Sequence, residues 1–209
     1  MRKQIRGLIA LCMLVAIIVT GCGIERGPSF TIGAWNGNIF ENSWLNMRFE
    51  VDNYWTIATD EEIAEFSGVG LEMLSELQGT SKESLEAMVD LTTVYGFLVL
   101  KGEGDPSIQL IFENLAKTIG GKNISEDEYL DIMLDQLSGM NYEMVEEASK
   151  VELANKTFTT LKTSAYDGLV LQDYYCYKQD KYMVTLITSY TEDNESSVQD
   201  FINNIAVLN

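Results

Sequence analysis

The stretch from Tyr142 to Tyr190 reads YEMVEEASKVELANKTFTTLKTSAYDGLVLQDYYCYKQDKYMVTLITSY. It divides into four extended runs, Tyr142–Leu153, Thr157–Tyr166, Leu169–Tyr177 and Tyr182–Tyr190, separated by Asn155-Lys156, Asp167-Gly168 and Lys178–Lys181. The runs are rich in Thr, Val, Ile and Tyr, side chains that fit a pleated, half-buried surface. Asp-Gly between extended runs marks a hairpin, because glycine accepts positive φ at little cost. Four strands joined by short turns predict an antiparallel meander.

The flanking segments fit the same sheet. Toward the N-terminus, Ser125-Glu126-Asp127-Glu128 is a capping box, and Leu130, Met133, Leu134 and Leu137 continue it at the spacing of an amphipathic helix. Val94–Leu100 (VYGFLVL) is almost wholly apolar, as expected of a strand covered on both faces, and Ile108–Phe112 follows the turn Lys101–Ser107 as its hairpin partner. Leu45, Met47, Phe49 and Val51 alternate with Asn46, Arg48 and Glu50, a period of two with one buried face. Strand signals also lie at Asn38–Glu41 and Trp55–Ala58. Thr59-Asp60-Glu61-Glu62 opens a helix with Ile63 and Phe66 inward, and Thr80-Ser81-Lys82-Glu83 opens a short second one. At the other end, Val198, Phe201, Ile202 and Ile205 form the inward stripe of a last helix. Strands grouped in hairpins and interrupted by a few helices define an α+β class, an antiparallel sheet with helices packed on it.

The first residues follow a different logic. Arg2, Lys3 and Arg6 precede Gly7–Val19 (GLIALCMLVAIIV), a run free of charge. Thirteen helical residues rise about 20 Å, short of the roughly 30 Å of bilayer hydrocarbon, so the run reads as a cleavable export signal. The junction Val19-Thr20-Gly21-Cys22 resembles the lipobox of bacterial lipoproteins. That resemblance implies cleavage before Cys22, a diacylglyceryl group on its sulfur and further acylation, giving a stable membrane tether. The expected organisation is a signal peptide over 1–21, a lipidated flexible stalk over 22–31 and one domain over 32–209, held on the outer face of the cell membrane.

Composition narrows the function. The chain has 209 residues, and removal of 1–21 leaves 188, enough for one adequate core. Three of the 14 basic residues and none of the 32 acidic ones lie in 1–21, so the mature part carries a formal −21. Such a surface disfavours nucleic acid as a partner and leaves a cationic partner open. The chain contains no histidine, which removes Ser-His triads, His-ligated metal sites and His acid–base catalysis. Of the three cysteines, Cys12 lies in the signal and Cys22 at the lipid site, leaving Cys176 without an internal partner. Within Tyr174-Tyr175-Cys176-Tyr177 it reads as a buried small hydrophobe.

Gly33-x-Trp35-x-Gly37-Asn38 with Asn42, the alternating strand, Trp55 before an acidic capped helix, Phe112-Glu113-Asn114-Leu115 and the Ser125 helix together resemble uncharacterised lipoproteins of Gram-positive gut bacteria. The closing meander and last helix are similar to the PsbP family. The resemblance implies a PsbP-like fold, which supports protein docking in its characterised members, and it carries over no catalytic residue.

No cofactor or metal site is expected. Asp127, Asp131 and Asp135 form one carboxylate stripe with Glu126 and Glu128 nearby, but a straight helix stripe rarely wraps calcium and no EF-hand spacing occurs. Glu146 and Glu147 are adjacent on a strand, so they cannot flank one glycosidic bond together. Gly102–Gly104 and Gly120-Gly121 read as turns. The aromatic residues are the better lead. Six of the ten tyrosines fall between Tyr166 and Tyr190, and Tyr175 and Tyr177 share a strand face. With Trp35 and Trp44 they are the candidate partner surface, weighed against ordinary sheet packing. The expected function is a lipid-anchored, non-catalytic binding or docking module. A small-ligand receptor is the alternative and an enzyme the third.

Overall fold

The computed structural model describes residues 29–68, 92–102, 105–117 and 121–208. The signal segment, Cys22, most of the stalk, the helix expected at Thr80-Ser81 and parts of the two glycine turns lie outside the described residues.

Eleven strands are described: β1 Ala34–Asn36, β2 Ile39–Asn42, β3 Met47–Glu50, β4 Trp55–Ile57, β5 Thr93–Lys101, β6 Ser107–Asn114, β7 Tyr142–Leu153, β8 Lys156–Ala165, β9 Val170–Gln179, β10 Tyr182–Tyr190 and β11 Ala206–Val207. The α-helices of more than one turn among the described residues are α1 over 60–68, α2 Glu126–Ser138 and α3 Glu195–Asn203. The strands form two antiparallel sheets, a small one ordered β1-β2-β3-β11 and a large one ordered β4-β5-β6-β10-β9-β8-β7. The class is α+β, as expected. β7 and β10 coincide with their runs in the sequence. β8 and β9 pull back from the Asp167-Gly168 turn because Tyr166 and Asp167 also adopt positive φ (54° and 55°), which makes the turn longer than a two-residue hairpin.

Alternation along the large sheet builds two cores. On one face Leu98, Ile111, Leu161, Tyr174, Cys176, Met183 and Ile187 meet Tyr129, Leu130, Met133 and Leu137 of α2. On the other, Phe97, Val99, Phe112, Val184 and Leu186 meet Phe40, Met47 and Phe49 of the small sheet and Val198, Phe201 and Ile202 of α3. Of the three expected capping boxes, the two among the described residues form. Thr59 N–H donates to Glu62 Oε2 (2.8 Å) and Glu62 N–H to Thr59 Oγ1 (3.3 Å); Ser125 N–H donates to Glu128 Oε2 (2.9 Å) and Glu128 N–H to Ser125 Oγ (3.2 Å). The Ser125 N–H, and after it the Ser125 hydroxyl, which donates to Glu128 Oε2 at 3.0 Å, hold the Glu128 carboxyl below its ordinary pKa.

The small sheet is fastened by the motif residues near its start. Gly33 has φ +102°, and a Cβ there would lie 2.6 Å from the Phe40 ring and 2.8 Å from the Glu41 carbonyl oxygen, so only glycine fits. Asn38 Nδ2 donates to the Val51 carbonyl (2.7 Å). Asn42 is fully buried. Its Nδ2 donates to the Thr31 and Ile32 carbonyls (3.0 and 2.7 Å), and its Oδ1 accepts from Leu45 N–H (2.8 Å). Phe30 lies within the expected 22–31 stalk, yet it stacks on Tyr182 at 4.2 Å and meets Trp44 and Phe112 edge-on. The packed body therefore begins at least two residues before 32.

Asn42→Ala should destabilise the domain by about 2–3 kcal/mol in denaturant unfolding, since it strips partners from three backbone groups around a buried site. Asn42→Asp keeps an acceptor for Leu45 N–H but cannot donate to Thr31 and Ile32. Proteolysis near residue 31 should therefore accelerate in that variant more than its global stability falls.

Candidate functional site

The strand register gives the large sheet two poles. At one, Tyr182 of β10 lies beside Gln179 of β9, and Leu153 of β7 beside Lys156 of β8. At the other, Tyr190 lies beside Leu171, Val170 beside Ala165 and Ala165 beside Tyr142. Eight residue steps of β10 separate the poles by about 26 Å.

Phe30 packs at the first pole, which is therefore where the N-terminal segment enters the fold. Two of the aromatic residues singled out from the sequence lie here, and neither is an exposed contact. Trp44 is buried, and its Nε1 donates to Asp180 Oδ2 at 3.3 Å. Trp35 is half-buried against Phe40 and Phe97. It lines an open groove of about 670 Å³ together with Phe30, Ile32, Asn36, Glu41 and Leu208. The groove's walls are mostly apolar, and Glu41 is its one ionisable lining residue.

Tyr175 and Tyr177 do share a face, as the strand period requires. Tyr175 is buried, however, and Tyr177 is half-buried against Phe158 with Lys156 Nζ 4.8 Å over its ring. Tyr175, like Trp44, belongs to the core because the small sheet and α3 cover the face on which Phe158, Tyr175, Tyr182 and Tyr190 lie. The four aromatic residues proposed from the sequence do not form one surface.

Of the six large apolar side chains exposed among the described residues, four gather at one corner of the opposite pole; Ile32 lines the groove, and Tyr54 lies beside β4 at the other edge of the sheet. Met144 and Val145 near the start of β7 are 49% and 47% exposed; Tyr166 and Leu169, flanking the β8–β9 turn, are 41% and 50% exposed. Met144 faces Thr163, two positions from the Tyr142–Ala165 pair that abuts this turn, so the four residues share one corner of the sheet. β7 is also the terminal strand, and residues 143–150 are exposed throughout. It carries Glu143, Glu146, Glu147 and Glu152, and its ladder slips at Met144/Glu146 and Glu146/Ser149. Charge and bulges are devices that keep an edge strand from pairing indiscriminately. One signal marked this corner in the sequence: in Glu143-Met144-Val145-Glu146 two apolar residues adjoin, which breaks the alternation of a strand with one buried face.

The remaining candidates are accounted for by packing and solvation. Asp127, Asp131 and Asp135 are exposed along α2. Among the described residues no group of three or more Cys, Asp or Glu is gathered as for a metal ion. Cys176 is wholly buried beside Thr185 (Sγ to Oγ1 3.7 Å), and burial pushes its thiol up to about 12, so it is protonated and unreactive.

One ionisable cluster was not anticipated. Asp173 of β9 is buried on the α3 side and accepts a 2.8 Å hydrogen bond from Tyr190 Oη. Lys162 of β8 donates to Glu195 of α3 at 3.3 Å and lies 4.0 Å from Glu146. Burial raises the Asp173 pKa above its ordinary value; the Tyr190 hydrogen bond and Lys162 oppose this, and Glu195 and Glu146 add to it. Burial likewise raises the hydroxyls of Tyr175 and Tyr190. Lys101 Nζ to Ser197 Oγ, 2.9 Å, is a second tie to α3. The cluster fastens that helix across the sheet.

Fold and surface thus define an antiparallel α+β protein with an entry pole and an exposed apolar pole. No family model and no curated protein matches the chain. Among solved structures it is similar to LpqN, described as involved in cell envelope biogenesis of Mycobacterium tuberculosis. That match has 10% identity, covers 77% of this chain and 82% of LpqN, and has a TM-score of 0.43. It is also similar to the PsbP protein (CyanoP) of the cyanobacterium Synechocystis, at 12% identity over 88% of this chain and 97% of the other, with a TM-score of 0.48.

Asp173 binds its proton more tightly in the native state than in the unfolded chain. Its favourable contribution is therefore complete below the ordinary carboxyl value, about 3.9, and is lost as pH rises through the native value. Asp173→Asn keeps an acceptor for Tyr190 and removes the cost of a buried charge. Its melting temperature should equal or exceed that of the unaltered protein at pH 7, and the gain should vanish near pH 3.5.

Proposed function

We propose that the protein is an exported lipoprotein, held at Cys22 on the outer face of a cell membrane, that works without catalysis as a docking module for another protein. One observation carries this reading: the exposed corner of Met144, Val145, Tyr166 and Leu169 lies at the pole opposite Phe30. Eight residue steps lead from Cys22 to Phe30, a reach of at most about 28 Å. A domain tethered through that segment turns its far pole outward, where a second envelope protein can meet it. Contiguous apolar side chains rimmed by charge are the usual composition of such a contact. The acidic edge of β7 selects a partner segment with basic residues beside apolar ones, and it repels a second copy of itself. The groove beside Trp35 is open and has a single carboxylate, which favours docking over an enclosed small-ligand receptor.

Two experiments test the two halves. Mass spectrometry of the protein from its own membranes should find an N-terminal diacylglyceryl-Cys22, and Cys22→Ser should move the protein out of the membrane fraction. An unmodified sulfur, or a retained leader, overturns the tether. For docking, the lipid-free domain should crosslink to a partner in membrane extracts, and Met144→Lys with Val145→Lys should weaken that capture at least tenfold while the melting temperature shifts little. Equal capture by the double variant overturns the assignment of this corner.

A further inference from the structure

Six polar side chains, none more than 1% exposed, lie on the α2-facing side of the large sheet: Thr163, Gln172, Tyr174, Ser189, Ser107 and Gln109. Strand pairing sets four of them in a row across β8, β9, β10 and β6, because Thr163 faces Gln172, Gln172 faces Ser189 and Ser189 faces Ser107. Gln109 is two positions along β6 and faces Ile187, which faces Tyr174. Opposed residues in an antiparallel pair project to the same side. The register alone therefore makes this a continuous polar band across four strands.

The band is only partly satisfied from within. Tyr174 Oη donates to Gln172 Oε1 (2.6 Å), and Gln172 Nε2 donates to Ser189 Oγ (2.8 Å). Ser107 Oγ, Thr163 Oγ1 and both Nε2 and Oε1 of Gln109 find no hydrogen-bond partner among the described residues. Leaving a whole buried carboxamide unpaired is costly, and native interiors almost always supply a partner. The missing partner is constrained chemically. It must donate and accept, since Gln109 presents one group of each kind. It must be uncharged, because all six side chains are neutral and the nearest carboxylate on this face, Glu113, is held by Tyr129 Oη at 2.8 Å. It must also be small, because the band lies under a packed layer.

We propose that this band is a binding site for internal water, which bridges Gln109 to Ser107 and extends the Gln172–Ser189–Tyr174 network toward Thr163. Domains hold on the order of one buried water per 27 residues, each making about three hydrogen bonds, and this band gathers the donors and acceptors such waters need. Water held there is part of the interface between sheet and helix layer rather than of the docking corner, so the inference stands apart from the proposed function.

The test uses the lipid-free protein labelled with nitrogen-15 and carbon-13. Bound water predicts NOE and ROE cross-peaks of opposite sign from the water resonance to the Gln109 side-chain amide, a pair that proton exchange cannot produce. Absence of these cross-peaks at Gln109 overturns the site, as does a scalar coupling across a hydrogen bond from its amide to a protein carbonyl. Gln109→Met, of similar volume and without polar atoms, supplies a second readout. If water bridges the band, the variant strands it and lowers the melting temperature by about 2–4 °C. If the band is dry, the variant relieves two unpaired groups and raises it, which overturns the proposal. Should the variant fail to fold, the cross-peaks decide alone.

Discussion

Every residue of β10, Tyr182 to Tyr190, is buried, and that single condition organises the molecule. A strand with no solvent face must have neighbours on both edges and a layer on each side. β6 and β9 supply the edges. α2 supplies one layer, and the small sheet with α3 the other. The small sheet is too short to persist alone, since its strands run two to four residues. It exists because Phe40, Met47 and Phe49 have a large apolar face to cover. Phe30 and Asn42 then tie the entering chain to the same core.

Much of this was legible from local pattern. The Ser125 and Thr59 caps form because each pairs a hydroxyl with a carboxylate three residues on, a code complete within four residues. β7 and β10 were bounded correctly because turn residues stand on both sides of them. The small sheet was only half visible: Leu45 to Val51 alternates, but β1 and β11, at three and two residues, are too short to show a period. Their existence depends on pairing with β2 and β3, which is a tertiary fact.

The aromatic residues show why surface assignments were harder. Alternation places Tyr175 and Tyr177 on one face, but it is silent on what covers that face. The small sheet and α3, both distant along the chain, cover it. Trp44 sits at a turn, where exposure is the ordinary expectation, and is instead sealed by Phe30. The exposed corner was carried by the opposite signal, a loss of period at Met144-Val145 between glutamates. Two adjoining apolar residues occur on strands covered on both faces as well, as in β10; on β7 they mark a corner because glutamates flank them and residues 143–150 are exposed throughout.

That loss of period also bears on how such an edge survives. A free twelve-residue strand with exposed Met and Val is a template for unwanted pairing. Here two ladder slips keep the backbone groups of Met144 to Ser149 from presenting a regular row, and four glutamates repel any copy of the same strand. Both devices act on a flat, neutral or acidic intruder. Neither opposes a basic segment that contacts the Met144–Leu169 corner through side chains instead of extending the ladder. The features that protect the edge thus also define the charge and the mode of the contact it can accept.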